Sequence, residues 1–189
     1  MKLRDLPNLI TALRLLLIAP LLWLLLQERY LEALLLFMIA GLSDVIDGYL
    51  AKRYGWTSRL GGFLDPLADK LLLMGSVLVL GWQGDLPVWL AVLVIVRDLV
   101  IIIGAISYHF LIGPFDAAPL LISKLNTLAQ LALVVTIVFH RGLLALPGYL
   151  LAAAIYGTAL TTLLSGAAYV WQWGQRAWHG GENNEHVAR

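Results

Sequence analysis

The chain has no cysteine and few charged residues. Without cysteine it can form no disulfide, no thiol nucleophile and no thiolate metal site. Charged residues make up only 13% of the 189 residues, about half the share typical of soluble domains, whereas hydrophobic residues make up 60%. The net charge of +1 provides no strongly basic surface, so we expect no nucleic-acid partner. This composition predicts a protein of the lipid bilayer.

Six hydrophobic stretches are long enough to span a bilayer as helices, which takes about 20 mostly apolar residues. They cover residues 8–26, 31–52, 63–82, 87–111, 120–139 and 146–172. The sequence therefore predicts an all-α integral membrane fold, with a six-helix domain over 1–172 and a polar cytoplasmic tail over 173–189. The alternative of a cleaved N-terminal signal is rejected, because Arg14 interrupts the first stretch and no cleavage site follows it.

Lysine and arginine are distributed unevenly over the predicted loops. One side of the membrane has eight of them on or beside its segments, and the other has only Arg29 and Arg141. Because short basic loops stay in the cytoplasm, both termini and the 52–62 loop are predicted to be cytoplasmic. The short chain, in which we see no transit peptide, predicts a bacterial inner membrane as the location.

Four aspartates lie near the cytoplasmic ends of the second and third predicted spans. Asp44 and Asp47 are three residues apart, and Asp65 and Asp69 are four apart, so each pair shares one helix face. A charge at mid-bilayer costs at least about 2.5–3.5 kcal/mol, and such residues are usually functional. Because a short loop makes the two helices antiparallel neighbours, we expect the four carboxylates to converge at the cytoplasmic side of the bundle.

Hard carboxylate oxygens suit Mg²⁺, Mn²⁺ or Ca²⁺ rather than Zn²⁺. Four negative charges would balance two divalent cations, a recurrent arrangement for phosphoryl transfer. Small residues accompany the acids, among them Gly48, Ala51 and Gly61. They leave room for a nucleotide to approach the backbone, although helix packing is an alternative reason for such residues in membranes.

The stretch from Asp44 to Asp69 resembles the signature of the CDP-alcohol phosphotransferases. Their pattern is D-x-x-D-G-x-x-A-R and, after eight or nine residues, G-x-x-x-D-x-x-x-D; seven of its eight fixed positions agree here in the same order. The six-span fold of that family also agrees with the spans above. One position differs, because the family's arginine is Lys52 here, followed by Arg53. An arginine binds two phosphate oxygens at once, whereas a lysine is a point charge.

The resemblance implies a division of roles. The four aspartates would hold two Mg²⁺ or Mn²⁺ ions, and Asp69 would also be the general base. The residues implied for CDP binding are Asp44, Gly48, Ala51, Lys52, Gly61 and Asn8. CDP-diacylglycerol would donate its phosphatidyl group to an alcohol, and CMP would leave. The family also suggests a homodimer.

Two cations inside apolar stretches, Arg97 and Lys124, are candidates for an acceptor phosphate, together with Arg53. The alternative for Arg97 is a structural ion pair with Asp98, which we disfavour because neighbours in sequence do not face each other on a helix. The phosphatidylglycerophosphate synthases of the family usually have a second arginine where this chain has Ala105. A pocket with one cation fewer suits a phosphodiester better than a dianion.

The segment Ser123-Lys124-Leu125-Asn126-Thr127 and the Arg97-Asp98 pair resemble the CMP-forming cardiolipin synthases. That resemblance implies phosphatidylglycerol as the acceptor, with glycerol-3-phosphate as the alternative. A cation transporter is a remote alternative, since acidic clusters also occur in transporters. Such a protein would place its acids near the bilayer midplane and have two related halves, and the sequence indicates neither. A purely structural membrane protein has no reason to accept the insertion cost.

Overall fold

The computed structural model describes the backbone of residues 6–54, 59–111 and 120–187, and the side chains of residues 12–43, 67–104, 120–172 and 175. Within these ranges the chain forms six helices and no strand. They are α1 (Leu6–Leu26), α2 (Tyr30–Tyr54), α3 (Arg59–Gln83), α4 (Val88–Leu111), α5 (Leu121–Gly142) and α6 (Gly148–Val187). The predicted all-α fold with six helices is confirmed.

Two helix bounds differ clearly from the predicted spans. Helix α3 begins at Arg59, four residues before the predicted start, and α6 continues beyond residue 172 to Val187. By length and composition, two helices of the described residues could cross a membrane, Leu121–Gly142 and Gly148–Gln172. Helix bounds extend past the apolar stretches because backbone hydrogen bonding does not stop where hydropathy falls.

Two helices end in a turn that contains a residue in the left-handed conformation. After α1 this residue is Glu28, with a φ of 57°, and the Arg29 amide donates to the Leu24 carbonyl at 2.9 Å. After α3 it is Gly84, with a φ of 82°, which glycine adopts without strain. Such caps satisfy the last carbonyls of a helix and end it sharply.

Residues Met1–Val88 and Val134–Leu151 form one compact unit. Within it, residues later in α1 contact residues later in α3, so the two helices run parallel. Leu22 contacts Gly75, where a Cβ atom would lie 2.7 Å from Leu22 Cδ1, and further along the Gln83 amide donates to the Leu25 carbonyl at 2.8 Å. Most buried side chains here are apolar, as in Leu21, but Arg14 and Ser76 are buried as well.

A polar cluster of Tyr30, Asp85 and Arg141 lies at one end of the same unit. The Tyr30 hydroxyl donates to Asp85, and Arg141 Nε lies 2.9 Å from the other oxygen of that carboxylate. Burial, followed by the hydrogen bond to Asp85, raises the pKa of the Tyr30 phenol. Gly142 permits the close approach, because a Cβ atom there would lie 2.7 Å from the backbone nitrogen of Leu31. Since Tyr30 starts α2 and Asp85 follows α3, these two helices are antiparallel.

Residues Trp89–Leu133 and Ala152–Arg189 form a second compact unit. It contains most of α4, the first half of α5 and most of α6. Its buried apolar side chains include Leu90, Val94 and Leu133. Between α5 and α6, however, the buried side chains are polar, and their contacts run in opposite directions along the two helices, so α5 and α6 are antiparallel.

Candidate active site

The backbone brings both predicted acidic pairs to the same level of the first unit. Asp44 and Asp47 lie about 21 and 26 Å along α2 from its start, at a rise of 1.5 Å per residue. Asp69 and Asp65 lie about 21 and 27 Å back along α3 from its end. Because the start of α2 and the end of α3 meet at the Tyr30 cluster, the two pairs lie at matching distances from that cluster.

The side chains of most residues in the predicted site lie outside the described part of the chain. Their backbone positions are known. The last four turns of α2 hold Asp44, Asp47, Gly48, Ala51, Lys52 and Arg53, the start of α3 holds Gly61 and Asp65, and the first turn of α1 holds Asn8. The roles of these side chains remain predictions. Among the described side chains, no group of three or more His, Cys, Asp or Glu residues could hold a metal ion.

Asp69 is the one predicted acid whose side chain the structure describes, and it pairs with Arg14 of α1. Arg14 Nη1 lies 3.4 Å from Asp69 Oδ1. The arginine side chain is 1% exposed, whereas that of Asp69 is 47% exposed. A cation within the packed unit therefore orients a carboxylate that is open to its surroundings. A half-exposed, oriented carboxylate can accept a proton from an alcohol or bind a cation.

Arg97 of α4 lies at the centre of a buried polar cluster in the second unit. Its Nη2 donates to Ser123 Oγ of α5 at 2.9 Å and to Ser165 Oγ of α6. Its Cζ lies 5.9 Å from the ring centroid of Tyr169, within the range of a cation–π contact. The guanidinium thus links three helices. Lys124, the other described cation of the predicted acceptor site, is exposed.

The prediction that Arg97 and Asp98 do not pair is wrong. Arg97 Nη1 lies 2.6 Å from Asp98 Oδ1, and both side chains are buried. The rule on helix neighbours concerns the directions of Cβ atoms, whereas a long arginine side chain can bend back to its neighbour. In a buried setting an unpaired carboxylate would be costly, which favours this contact. The pairing does not exclude a ligand, because Arg97 Nε has no hydrogen-bond partner among the described residues.

A row of polar side chains, all buried except the partly exposed Ser123, continues from Arg97 between α5 and α6. We call it the polar seam; it consists of Ser123, Asn126 and Gln130 on α5 and Thr158, Thr162 and Ser165 on α6. Asn126 Oδ1 accepts from the Thr162 hydroxyl at 2.8 Å, and the Thr158 hydroxyl donates to the Ala129 carbonyl at 3.1 Å. Its members on each helix recur every three or four residues, so they share one face.

The role of Arg14 and the polar seam are not among the features predicted from the sequence. For Arg14 the signal was a lone cation in an apolar stretch, which requires a partner when it is buried. For the seam it was the helical spacing of polar residues in α5 and α6, Ser123-Asn126-Gln130 and Thr158-Thr162-Ser165. Hydropathy averaged over a span conceals such a narrow polar face.

The model of the CDP-alcohol phosphatidyltransferase family matches residues 4–165, most of the chain. The chain belongs to this family. The resemblance seen in the signature is therefore confirmed, and the match includes all four aspartates, Arg14 and Arg97. The family uses CDP-diacylglycerol and an alcohol acceptor such as phosphatidylglycerol or glycerol-3-phosphate, and it generally depends on divalent cations.

Three relatives show the range of activities within the family. A probable cardiolipin synthase (CMP-forming) of Drosophila melanogaster is 35% identical over 88% of this chain and 56% of its own. The cardiolipin synthase (CMP-forming) of Homo sapiens is 33% identical over 87% and 60%. A chloroplastic CDP-diacylglycerol–glycerol-3-phosphate 3-phosphatidyltransferase of Oryza sativa is 37% identical over 69% and 45%. The chain thus spans about half the length of these relatives.

Proposed function

We propose that this protein transfers the phosphatidyl group of CDP-diacylglycerol to phosphatidylglycerol, giving cardiolipin and CMP. The observation that carries the proposal is the family match over residues 4–165, which includes both acid-bearing helices and the Arg97 cluster. The matching levels of the two acidic pairs on α2 and α3 support it, because the predicted reaction needs the four carboxylates together.

The proposal includes an integral membrane location with six spans, the active site at the cytoplasmic side and both termini in the cytoplasm. Large apolar side chains on the outside of the helices support it. Leu16 is 72% exposed, Leu121 78% and Trp82 87%, which would be unfavourable in water but suits lipid and its interface. A bacterial inner membrane and a homodimer remain predictions from the sequence and from the resemblance.

The donor set fits two divalent cations. The four predicted ligands are all carboxylates, and the described one, Asp69, is half-exposed and oriented by Arg14. When bound, such ions would neutralise the diphosphate and stabilise the charge that develops on phosphorus. Removing them with EDTA should abolish CMP release, and added Mg²⁺ or Mn²⁺ should restore it. Full activity in EDTA would contradict the metal part of the proposal.

The protein's own residues would bind the donor and move one proton. The CDP group would lie along α2, near Gly48, Ala51 and Lys52. Asp69 would take the proton of the acceptor hydroxyl while the oxygen of that hydroxyl bonds to the β-phosphorus of CDP-diacylglycerol. The bond from that phosphorus to the oxygen bridging to CMP then breaks, and CMP leaves with the bridging oxygen. A positioned carboxylate contributes about 10²–10⁴-fold to such a step.

The Arg97 cluster supports a phosphodiester as the acceptor's phosphate. Arg97 is buried and can donate hydrogen bonds, but Asp98 offsets part of its charge. A site with little net charge suits a phosphodiester with one negative charge better than the dianionic glycerol-3-phosphate. Lys124 and Arg53 are further candidates for this phosphate. Glycerol-3-phosphate remains the alternative acceptor, because one of the relatives is named for it.

One assay tests the proposal. Purified protein is supplied with CDP-diacylglycerol and, in separate reactions, with phosphatidylglycerol, glycerol-3-phosphate, serine or inositol, and CMP is measured. We expect CMP and cardiolipin with phosphatidylglycerol. CMP release with glycerol-3-phosphate but not with phosphatidylglycerol would show that glycerol-3-phosphate is the acceptor. No release with any acceptor would contradict the reaction class.

A further inference from the structure

The polar seam of the second unit contains hydrogen-bond donors that the protein itself does not satisfy. Asn126 is 0% exposed and Gln130 is 4% exposed, and neither Asn126 Nδ2 nor Gln130 Nε2 has a hydrogen-bond partner among the described residues. Arg97 Nε is buried and unpartnered in the same way. Buried polar groups are almost always paired, so three such donors in one seam indicate a missing acceptor.

The three donors are arranged in tiers along α5. Arg97 contacts Ser123 and Ser165; one turn further along both helices, Asn126 contacts Thr162. Gln130 follows Asn126 by one more turn on the same face of α5. Successive tiers are therefore about 5–6 Å apart. Their order leads away from the N-terminal end of α5, which the sequence predicts to be cytoplasmic.

The amide and carbonyl oxygens of the seam already have donors within reach. The hydroxyls of Thr161 and Thr162 both lie within hydrogen-bond distance of Asn126 Oδ1 and of the Thr158 carbonyl, and each shares its one proton between these two acceptors. The Ala129 carbonyl accepts from Thr158. A hydroxyl group entering the seam would bring a proton that needs an acceptor. An ester carbonyl only accepts, so it complements the unsatisfied amide nitrogens better.

We infer that the polar seam binds the ester-linked glycerol backbone of a lipid acceptor, with Asn126 and Gln130 donating to its ester carbonyl oxygens. This inference rests on the proposed function, in which the hydroxyl end of the acceptor reacts at the cytoplasmic side. With the phosphodiester at Arg97, the next groups of such a lipid, moving into the bilayer, are its ester carbonyls. Glycerol-3-phosphate has no acyl ester carbonyl to occupy the deeper tiers, so the two amides select a lipid over a soluble acceptor.

The test compares two forms of phosphatidylglycerol, one with acyl esters and one with alkyl ethers that lack the carbonyl oxygens. CMP release is measured with the full-length protein in lipid nanodiscs at saturating CDP-diacylglycerol. We expect kcat/KM for the diester form to exceed that for the diether form by about tenfold, the effect of one or two neutral hydrogen bonds. Equal use of both forms would overturn the inference.

Variants of Asn126 and Gln130 test whether these side chains cause the preference for the diester lipid. Gln130→Met and Asn126→Leu preserve side-chain volume and remove the donors, so each should lower the diester rate and bring the diester-to-diether ratio toward one. Thr127→Val, on the exposed side of α5, is the matched control and should leave the ratio unchanged. The ratio is internal to each protein, so a smaller folded fraction cannot alter it. If Gln130→Met lowered both rates by the same factor, the seam would only hold helices together.

This comparison separates two failures. CMP release with phosphatidylglycerol but no carbonyl preference would overturn only the role of the seam. No CMP release with phosphatidylglycerol in either form, from protein that reacts with another alcohol, would overturn the proposed acceptor itself.

Discussion

Two helix interfaces of this protein solve the same packing problem with different side chains. Between α1 and α3 the apolar contact of Leu22 with Gly75 lies beside the Arg14–Asp69 ion pair near the middle of both helices, and the Gln83 amide bonds the Leu25 carbonyl near their ends. Between α5 and α6 uncharged polar side chains make the contacts, and Thr162 binds Asn126 in a fully buried position.

The difference indicates that one interface mainly holds helices together and that the other also binds a ligand. In lipid, close contact of small and apolar residues is sufficient to hold helices together, and interhelical hydrogen bonds contribute only about 0.6–2 kcal/mol each. An interface that leaves buried donors unsatisfied is less stable than an apolar one would be. The first interface therefore fixes the level of Asp69, whereas the second retains polar groups that we assign to the acceptor.

The largest effect on activity is expected at the ion pair between α1 and α3. Arg14→Gln removes the cation that orients Asp69, and kcat for CMP release should fall about 10- to 100-fold, as for other partners that orient a catalytic carboxylate. The KM for CDP-diacylglycerol should change little. The remaining Asp69 is half-exposed and can be solvated, so the thermal midpoint should fall less than for a fully buried pair.

Arg14→Lys is the control for this variant and should recover part of the lost rate, because it retains a cation at the same position. A kcat equal to that of the unmodified protein in Arg14→Gln would show that Arg14 only fills space. A large rise in the KM for CDP-diacylglycerol with kcat unchanged would also contradict a positioning role.

The next effect concerns stability and the glycines of close contacts. A methyl group at Gly142 would meet the Leu31 backbone at 2.7 Å, whereas at Gly75 it would meet the movable end of the Leu22 side chain. Gly142→Ala should therefore cost about 1–3 kcal/mol and Gly75→Ala less. Gly157 has nothing within 4 Å, so Gly157→Ala should be neutral or stabilising by up to about 1 kcal/mol. Thermal midpoints of the three variants, measured in one detergent, give the order of their stabilities. A reversed order would contradict the close contacts described at Gly142 and Gly75.

The smallest effect concerns the polar end of the first unit. Tyr30→Phe removes one hydrogen bond to Asp85 while Arg141 remains, so it should cost about 0.5–1.5 kcal/mol at neutral pH. The pKa of the Tyr30 phenol is raised above its ordinary 10.0. A raised pKa means that the contribution is complete below about pH 10 and is lost as the pH rises through the folded-state value. Melting both proteins from pH 8 to 11 should show the difference narrowing; a constant difference would exclude this linkage.

Much of the fold could be predicted from the sequence because apolar stretches of about 20 residues predict helices. Six helices and the turns at 27–29 and 83–86 follow from hydropathy and from turn residues such as Gly84. The early start of α3 and the extension of α6 to Val187 could not be predicted in this way. The added part of α3 contains Arg59 and two glycines, and the added part of α6 is mostly polar, so neither extends an apolar stretch.

For the candidate site, the common level of the two acidic pairs follows from antiparallel helices. That each pair shares one helix face stays a prediction from the spacing, because the side chains of three of the four aspartates lie outside the described residues. The partner of Asp69 lies on another helix, at Arg14, and no spacing rule connects residues so distant in sequence. The Arg97–Asp98 pair was misjudged, because the length and flexibility of arginine exceed what Cβ geometry suggests.

The most direct test of the account is CMP release by Asp69→Asn. The change preserves size and removes the negative charge that would accept the proton and help to bind the cations. We expect turnover with CDP-diacylglycerol and phosphatidylglycerol to fall by about 10²–10⁴-fold, with a thermal midpoint close to that of the unmodified protein. CMP release within a few-fold of the unmodified rate would contradict catalysis by the acids at the end of α2 and the start of α3.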